Sequence, residues 1–206
     1  VLSPPFDTDE FDPIPSENEF RKKFEIPPDK KLITFLGRLH HIKGNDFLIN
    51  GFERLMQKRK DCHLVLVGPD DGHEAVLRQM VSEKKLENNV TFTGFMGGSD
   101  KNEALVASDI VVQLSRFEQG AWAPMEGVLC GTPIVVTAHT GTGEDVERLN
   151  AGYTVAFDDV EMLADTFNQI LLNYNAALDL TNKARAFIIE NLSMNARVNE
   201  YYSLFE

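Results

Sequence analysis

The 206-residue chain has few basic residues and no long apolar run. Its 20 Lys and Arg against 32 Asp and Glu give a formal net charge of −12. This charge argues against a nucleic-acid partner, because nucleic-acid binding depends on basic residues that neutralise phosphates. No apolar run approaches the ~20 residues of a membrane helix. The N-terminus has no signal-like core and does not begin with Met, so we expect a piece of a longer chain.

Cysteine is also scarce, and the two that are present, Cys62 and Cys130, lie far apart among apolar residues. The chain has no CxxC motif and no Cys/His cluster. We interpret both cysteines as buried free thiols in a reducing compartment, which favours a cytoplasmic location and no metal site. Apolar residues at 43% and charged residues at 25% are typical of a soluble globular domain with a sizeable core.

Short apolar, β-favouring runs alternate with helical patterns along most of the chain. They predict strands at 32–36, 63–67, 90–92, 110–114, 133–136 and 154–157. Helices are predicted at 45–58, 74–84, 101–107, 123–130, 144–149, 160–174, 176–191 and 195–205. Residues 1–30 are rich in proline and acidic side chains. There we predict an extended interdomain connector and a short helix, 16–24, with Ser16 as its N-cap.

This alternation predicts a doubly wound, Rossmann-like α/β domain over residues 31–206, with a six-stranded parallel sheet and C-terminal helices. Right-handed crossovers place every strand-to-helix loop on the carboxyl edge of the sheet. Ligands bind on that edge, at the switch point of the strand order. The loops predicted there are 37–44, 68–72, 94–100, 115–124 and 138–143.

Two cations, Arg38 and Lys43, follow the first strand in a turn that begins at Gly37 and ends at Gly44. The turn leads into a helix N-terminus, whose free amides and dipole favour an anion. The two cations are therefore placed to bracket a diphosphate. Two solvated basic side chains on a loop remain the other interpretation.

Two carboxylates, Glu118 and Glu126, lie eight positions apart after the fourth strand. A carboxylate can accept two hydrogen bonds from sugar or ribose hydroxyls. Gly120 and Ala121 between them allow the backbone to approach a ligand closely. Taken alone, Glu126 is equally well explained as an exposed helix acid, and Glu118 as a charge at a helix N-terminus.

Together the two segments resemble a known family. G-R-x4-K-G after the first strand, followed by S-x2-E-x7-E-x4-G-T-P-I-V-V, is similar to the C-terminal domain of family-4 retaining glycosyltransferases of the GT-B fold. The glycine that ends the second strand, V-x-F-x-G at 90–94, A-S-D-I at 107–110 and T-G-T-G-E at 140–144 agree with that family's layout. The resemblance covers nearly the whole chain.

The resemblance implies roles for individual residues. Arg38 and Lys43 would hold the donor diphosphate and stabilise charge on the leaving nucleotide, and Glu118 would contact the donor sugar. These three are the predicted catalytic residues, and Glu126 would contact the ribose. The other predicted donor-binding residues would line phosphate, sugar and base: Gly37, Gly68, Phe95, Met96, Gly120, Ala121 and Trp122. The donor would be a UDP- or GDP-linked sugar, with no metal or other cofactor.

Two departures from the family pattern matter. The family commonly reads E-G-F-G-L-P after the first glutamate, whereas this chain reads E-Q-G-A-W-A-P at 118–124, which leaves the donor sugar open. Trp122 is the only tryptophan, and plain packing is its other interpretation. A GT-B enzyme also has an N-terminal acceptor domain, and we expect this chain to be only one Rossmann-like half, without that domain. We therefore expect this chain to bind donor without turnover, and any peripheral membrane contact to reside in the missing domain.

The expected function is the donor-binding half of an enzyme that transfers a hexose from a nucleoside-diphosphate sugar to an acceptor hydroxyl in glycan, lipid or polysaccharide biosynthesis. The alternatives are a GT-B-type nucleotide-sugar epimerase or phosphorylase, and a non-catalytic flavodoxin-like interaction domain. A receiver-type domain needs acidic residues where this chain has Gly37 and Arg38. No G-x-G-x-x-G follows the first strand, which disfavours a dinucleotide dehydrogenase.

Overall fold

A parallel six-stranded sheet forms the centre of the domain in the computed structural model, which describes residues 5–15 and 19–202. The strand order is β3-β2-β1-β4-β5-β6. The strands are β1 (Lys31–Leu36), β2 (Cys62–Val67), β3 (Val90–Gly94), β4 (Ile110–Gln113), β5 (Ile134–Thr137) and β6 (Tyr153–Val155). The predicted doubly wound α/β fold is confirmed, because every neighbouring pair of strands is parallel.

One helix precedes the first strand, five connect successive strands and three follow the last strand among the described residues. They are α1 (Phe20–Lys23), α2 (Asn45–Lys58), α3 (Glu74–Glu83), α4 (Ser99–Val106), α5 (Trp122–Leu129), α6 (Gly141–Leu149), α7 (Val160–Leu172), α8 (Tyr174–Leu192) and α9 (Met194–Tyr202). Short 3-10 helices lie at Asp9–Phe11 and His41–Lys43. Among the described residues, no helix combines the length and apolar character needed to cross a bilayer.

The sheet separates two hydrophobic cores. Successive strand side chains point to opposite faces, so Ile33 and Phe35 of β1 enter one core while Leu32 and Leu36 enter the other. Helices α2, α3 and α7 cover the first face, and α4, α5 and α6 cover the second. Helix α8 contributes to both cores, with Ala177 on one side and Ile188 on the other. The connections of β1 and β4 therefore leave the sheet toward opposite faces.

Two element boundaries differ from the sequence-based prediction in ways that bear on the site. Helix α6 begins at Gly141 rather than at residue 144, because the Thr140 hydroxyl caps it by accepting a 3.0 Å hydrogen bond from the Gly143 amide. Glycine is a poor helix former, so the two glycines conceal this start in the sequence. Strand β6 ends at Val155 rather than 157, because the chain turns at Asp158, whose φ is 69°.

The N-terminal segment packs on the domain. Phe6 forms a parallel bridge with Ser193 at the junction of α8 and α9. Phe11, Phe20 and Ile26 are buried in the second core. The predicted helix over 16–24 is observed only as the single turn of α1, and its predicted N-cap Ser16 lies outside the described residues.

Candidate functional site

The loops that follow β1 and β4 diverge at the carboxyl edge of the sheet. These two strands are hydrogen-bonded neighbours although β2 and β3 separate them in sequence. The loop after β1 leads to α2 on one face, and the loop after β4 leads to α5 on the other. Doubly wound sheets bind ligands at such a divergence. We refer to the region between residues 37–44 and 114–121, the loops that follow these two strands, as the crevice, and to the two loops as its walls.

Gly44 brings the two walls into contact. It adopts a left-handed conformation, with φ of 67°, at the N-terminus of α2. A Cβ at this position would lie 1.9 Å from the carbonyl oxygen of Leu114. Glycine alone combines that backbone angle with so close an approach. The adjacent 3-10 helix, His41–Lys43, then presents Lys43 to the opposite wall.

Lys43 and Glu118 meet across the crevice. The Lys43 Nζ donates a 2.5 Å hydrogen bond to Glu118 Oε2, and the two side chains are only 19% and 14% exposed. Ser115 Oγ donates to the same carboxylate oxygen at 3.3 Å, and Gln113 Nε2 donates to Ser115 Oγ at 2.9 Å. The structure therefore brings together one predicted phosphate contact and the predicted sugar contact. It adds Ser115 and Gln113, which the sequence interpretation did not assign.

A second ion pair fastens the same two walls. Arg116 donates to Asp46 through Nη1 at 2.9 Å and Nη2 at 2.5 Å, and its backbone amide donates to the Ile42 carbonyl at 2.8 Å. Burial raises the pKa of Asp46, but hydrogen bonding and charge from Arg116 outweigh that effect and hold the pKa below its usual value. Neither residue belongs to the predicted site, and only the fold shows that they are adjacent. They fix the base of the loop that carries Glu118.

Arg38 faces a different carboxylate from Lys43. Its guanidinium pairs with Asp71 in the loop after β2, and the Arg38 side chain is 62% exposed. The neighbouring Asp70 binds the backbone that leads into α3, because one carboxylate oxygen accepts from the amides of Gly72, His73 and Glu74. In the sequence, the only feature that could have singled out Asp71 is the pair of consecutive acids, Asp70 and Asp71, in a loop on the carboxyl edge. Arg38 and Lys43 share a loop, but each has its own counter-ion.

The close approach of the β1 and β2 loops explains two of the predicted glycines. A Cβ at Gly68, where φ is 147°, would lie 1.9 Å from the carbonyl oxygen of Gly37. The Gly37 amide also donates to the Val67 carbonyl at 2.9 Å. Gly37 and Gly68 therefore hold the backbone of the Arg38 loop close to the Asp71 loop.

Glu126, on the first turns of α5, pairs with a lysine of its own. Lys101 on α4 donates to Glu126 Oε1 at 2.7 Å, and each side chain is 21% exposed. Of the predicted base-contacting residues after β3, Phe95 is 76% exposed, whereas Met96 is buried in the second core. Only Phe95 therefore offers substantial side-chain surface there. No sequence pattern singled out Lys101.

Helix α6 supports the loop that follows Glu118. The Gly141 amide donates to the Glu118 carbonyl at 2.8 Å, and the Ala121 amide donates to Thr142 Oγ1 at 2.8 Å. The Ala121 amide, one of those predicted to line the sugar and phosphate, is thus hydrogen-bonded within the chain. A Cβ added to Gly120, by contrast, would meet nothing within 4 Å. The open space above Gly120 is available to a ligand.

Trp122 lies behind this loop. Its ring is half-exposed and contacts Phe6 edge-on at a centroid distance of 5.3 Å. The contact ties the N-terminal segment to the start of α5. A pocket of about 200 Å³ lies alongside, lined by residues that include Phe6, Gly120, Trp122, Met125, Arg148 and Leu192.

Both cysteines are buried and free, which confirms that part of the prediction. Burial raises the pKa of each thiol to about 12, so neither is a reactive thiolate at neutral pH. Within residues 5–15 and 19–202, no group of three or more His, Cys, Asp or Glu side chains is arranged to hold a metal ion.

The sequence matches a family model described as "Glycosyl transferases group 1" over residues 16–187. A similar curated protein is mannosylfructose-phosphate synthase of Agrobacterium fabrum, which is 31% identical over 150 residues, or 68% of this chain and 33% of that protein. The chain spans about half the length, or less, of the curated relatives it matches.

Two solved structures show the same fold. Anabaena HepE in complex with UDP-glucose has a TM-score of 0.82 and 23% identity, with 97% of this chain and 56% of that chain covered. The C-terminal domain of the glycosyl transferase group 1 family protein LpcC from Francisella tularensis has a TM-score of 0.75 and 21% identity. In that comparison 91% of this chain and 98% of the other are covered, so the domain boundaries nearly coincide.

Proposed function

Because the chain belongs to the glycosyl transferase group 1 family and has the fold of a GT-B C-terminal domain, we propose that it is the nucleotide-sugar-binding half of a retaining hexosyltransferase. The observation that carries this proposal is the placement of Glu118 and Glu126, each paired with a lysine, in the connection between β4 and β5. The whole enzyme would transfer a hexose from a nucleoside diphosphate to an acceptor hydroxyl, in glycan, lipid or polysaccharide biosynthesis.

The donor diphosphate would lie against the loop after β1. Lys43 at the N-terminus of α2 and Arg38 in the same loop supply the positive charge, and the start of α2 adds backbone amides. Such fixed cations stabilise the charge that builds on the leaving phosphate. In this proposal they do so without a metal ion. Since the chain as a whole carries a charge of −12, these local cations must supply the attraction.

The sugar and ribose would be recognised by the two carboxylates. Glu118, fixed by Lys43 and Ser115, would accept hydrogen bonds from donor-sugar hydroxyls. Glu126 would accept from the ribose, and the exposed Phe95 ring would lie against the base. The space above Gly120 would admit the sugar or the phosphate. Like the HepE structure, which holds UDP-glucose, this chain would take a UDP-linked donor or, alternatively, a GDP-linked one.

Transfer with retention would occur on one face of the sugar. The bond between the anomeric carbon and the phosphate oxygen breaks, and the acceptor oxygen forms its bond from the same side. The acceptor proton passes to the departing phosphate. The sugar would pass through an oxocarbenium-like state, while Arg38 and Lys43 would stabilise the negative charge on the departing phosphate.

The acceptor site would belong to the rest of the protein, since this chain spans about half of its curated relatives. The chain alone would bind donor without transferring sugar. Any peripheral contact with a membrane would be made by the other half. Two buried free thiols suit a reducing compartment, and the proposal places the enzyme in the cytoplasm.

Calorimetric titration with UDP, GDP, ADP and their hexose conjugates tests this function. We expect one nucleotide to bind, and Arg38→Ala and Glu126→Ala to weaken it at least tenfold. The control Lys22→Ala removes an 82% exposed cation from α1 and should leave binding unchanged. If neither this chain nor the full-length protein binds any of these ligands at millimolar concentration, the function is wrong. An isomerised nucleotide sugar, or a sugar phosphate formed with inorganic phosphate, would instead identify an epimerase or a phosphorylase.

A further inference from the structure

Lys101 and Glu126 form an ion pair that the predicted site does not include. The Lys101 Nζ lies 2.7 Å from Glu126 Oε1, and both side chains are about four-fifths buried, at 21% exposure each. Lys101 lies on α4 and Glu126 on α5, two helices that pack together on the same face of the sheet. The pair therefore links two neighbouring connections of the carboxyl edge.

Stability alone does not account for a lysine at this position. Withdrawing both charges from water carries a penalty that their attraction often only offsets. Apolar side chains of similar size would serve the packing of α4 against α5 as well or better. Its neighbour Asn102 is also buried, and the Asn102 Oδ1 has no hydrogen-bond partner in the described part of the chain. This end of α4 is more polar than packing requires.

The geometry leaves half of the Glu126 carboxylate unused. Lys101 occupies Oε1, and Oε2 makes no hydrogen bond to any described residue. An ion pair of this kind holds the carboxylate in one rotamer and keeps the lysine away from the second oxygen. A carboxylate oxygen fixed in this way is ready to accept hydrogen bonds from a pair of vicinal hydroxyls.

Helix α4 directly follows the loop that would contact the nucleotide base in the proposed function. Helix α4 begins at Ser99, directly after the segment that contains the exposed Phe95. Lys101 lies in the first turn of α4, so its ion pair links the start of that helix to Glu126.

We propose that Lys101 is a positioning residue that orients Glu126 toward the ribose hydroxyls of the donor nucleotide. This role rests on the proposed function. Lys101 touches Glu126, and its effect on the ligand passes through that carboxylate. Without Lys101, Glu126 would keep its charge but lose its fixed orientation.

Titration with matched nucleotides tests this role. The wild-type chain and Lys101→Met, Lys101→Arg and Glu126→Gln would be titrated with the nucleoside diphosphate that binds and with its 2′,3′-dideoxy analogue. For Lys101→Met we expect roughly a tenfold loss of affinity for the ribonucleotide, the scale of one charge-assisted hydrogen bond. The affinity for the dideoxy analogue should not change, because no ribose hydroxyl remains to be oriented. Lys101→Arg should retain most of the ribonucleotide affinity.

A second lysine with a similar ion pair and a similar exposure shows whether the loss of any paired charge weakens nucleotide binding. Lys84 pairs with Glu53 at 2.6 Å, is 22% exposed and joins α3 to α2 away from α4. Lys84→Met should leave both affinities unchanged. Equal losses for the ribonucleotide and the dideoxy analogue in Lys101→Met would reduce Lys101 to a packing role, and unchanged affinity for both would overturn the inference as well. Failure of the wild-type and full-length proteins to bind any nucleoside diphosphate would instead overturn the proposed function.

Discussion

Lys43 and Glu118 lie 75 positions apart in the sequence, yet their side chains share a 2.5 Å hydrogen bond. The bond exists because β1 and β4 are neighbours in the sheet and the loops that leave them face each other. The carboxylate that would recognise the sugar therefore lies against the cation that would hold the diphosphate. Each of the two side chains therefore partly neutralises the charge that the other would present to a ligand.

This contact predicts different outcomes for its two ends. Lys43→Met should weaken nucleoside diphosphate binding by roughly tenfold to a hundredfold, because a charge-assisted contact is lost and the Glu118 charge stays uncompensated. Glu118→Gln should not weaken binding of the free nucleoside diphosphate, because it removes an anion that competes for Lys43. It should erase any preference between glucose and mannose conjugates. Calorimetry on both variants checks this, and equal losses of diphosphate affinity in the two would contradict it.

If Arg38 binds the donor diphosphate as proposed, Asp71 would compete with that ligand for the guanidinium. The pair is exposed, at 62% for Arg38 and 39% for Asp71, so breaking it requires little free energy. Asp71→Asn should strengthen nucleoside diphosphate binding by roughly threefold, the scale of one exposed ion pair. Asp165→Asn removes a similar charge from α7, where Asp165 pairs with Lys58 of α2, and so measures the effect of net charge alone. An equal gain in both variants would show that Asp71 does not act through Arg38.

Substitution by alanine should have very different effects on stability at two glycines of the crevice. Gly44→Ala should lower the free energy of unfolding by about 3 kcal/mol or more, because the methyl group meets the Leu114 carbonyl and the backbone angle is left-handed. Gly120→Ala should change stability by less than about 0.5 kcal/mol, since its Cβ enters open space. Urea unfolding measures both effects.

Gly120→Ala also tests where the ligand lies. If the donor occupies the space above Gly120, its affinity should fall in this variant although the free energy of unfolding is unchanged. Wild-type affinity in Gly120→Ala would move the proposed sugar and phosphate contacts away from this residue.

His63 should make the fold sensitive to mild acid. Burial in β2 lowers its pKa from 6.5 to about 4. The unfolded chain therefore binds a proton that the folded chain does not bind between these values. The contribution of His63 to the free energy of unfolding is fully present above about pH 6.5. It is lost as the pH falls toward 4, by up to about 3 kcal/mol.

The His63→Asn variant isolates this contribution. His73, whose pKa is also lowered by burial, adds to the same acid sensitivity. Asp61, with a pKa of about 2, loses its contribution only at lower pH. Urea unfolding of wild type and His63→Asn between pH 7 and pH 4 should therefore show a flatter pH dependence in the variant. Parallel curves would contradict the assignment.

Local patterns in the sequence were sufficient to predict the layers of the fold. The strands and helices follow from apolar periodicity, which depends on neighbouring residues alone. The position of the crevice follows from helical crossovers, which put every strand-to-helix loop on one edge. Two predicted element ends were wrong, because a single capping or turning residue sets each of them. Helix α6 begins among glycines because Thr140 caps it, and β6 ends early because the chain turns at Asp158.

The sequence by itself therefore predicted the candidate site residues, and the tertiary structure decided how their side chains are paired. Arg38 and Lys43 are close in sequence, but they face Asp71 and Glu118, which follow different strands. Lys101 carries no pattern of its own and acquires a role only because α4 packs beside α5. Ion pairs depend on distances of a few ångströms between loops far apart in the chain, and those distances exist only once the strand order is set.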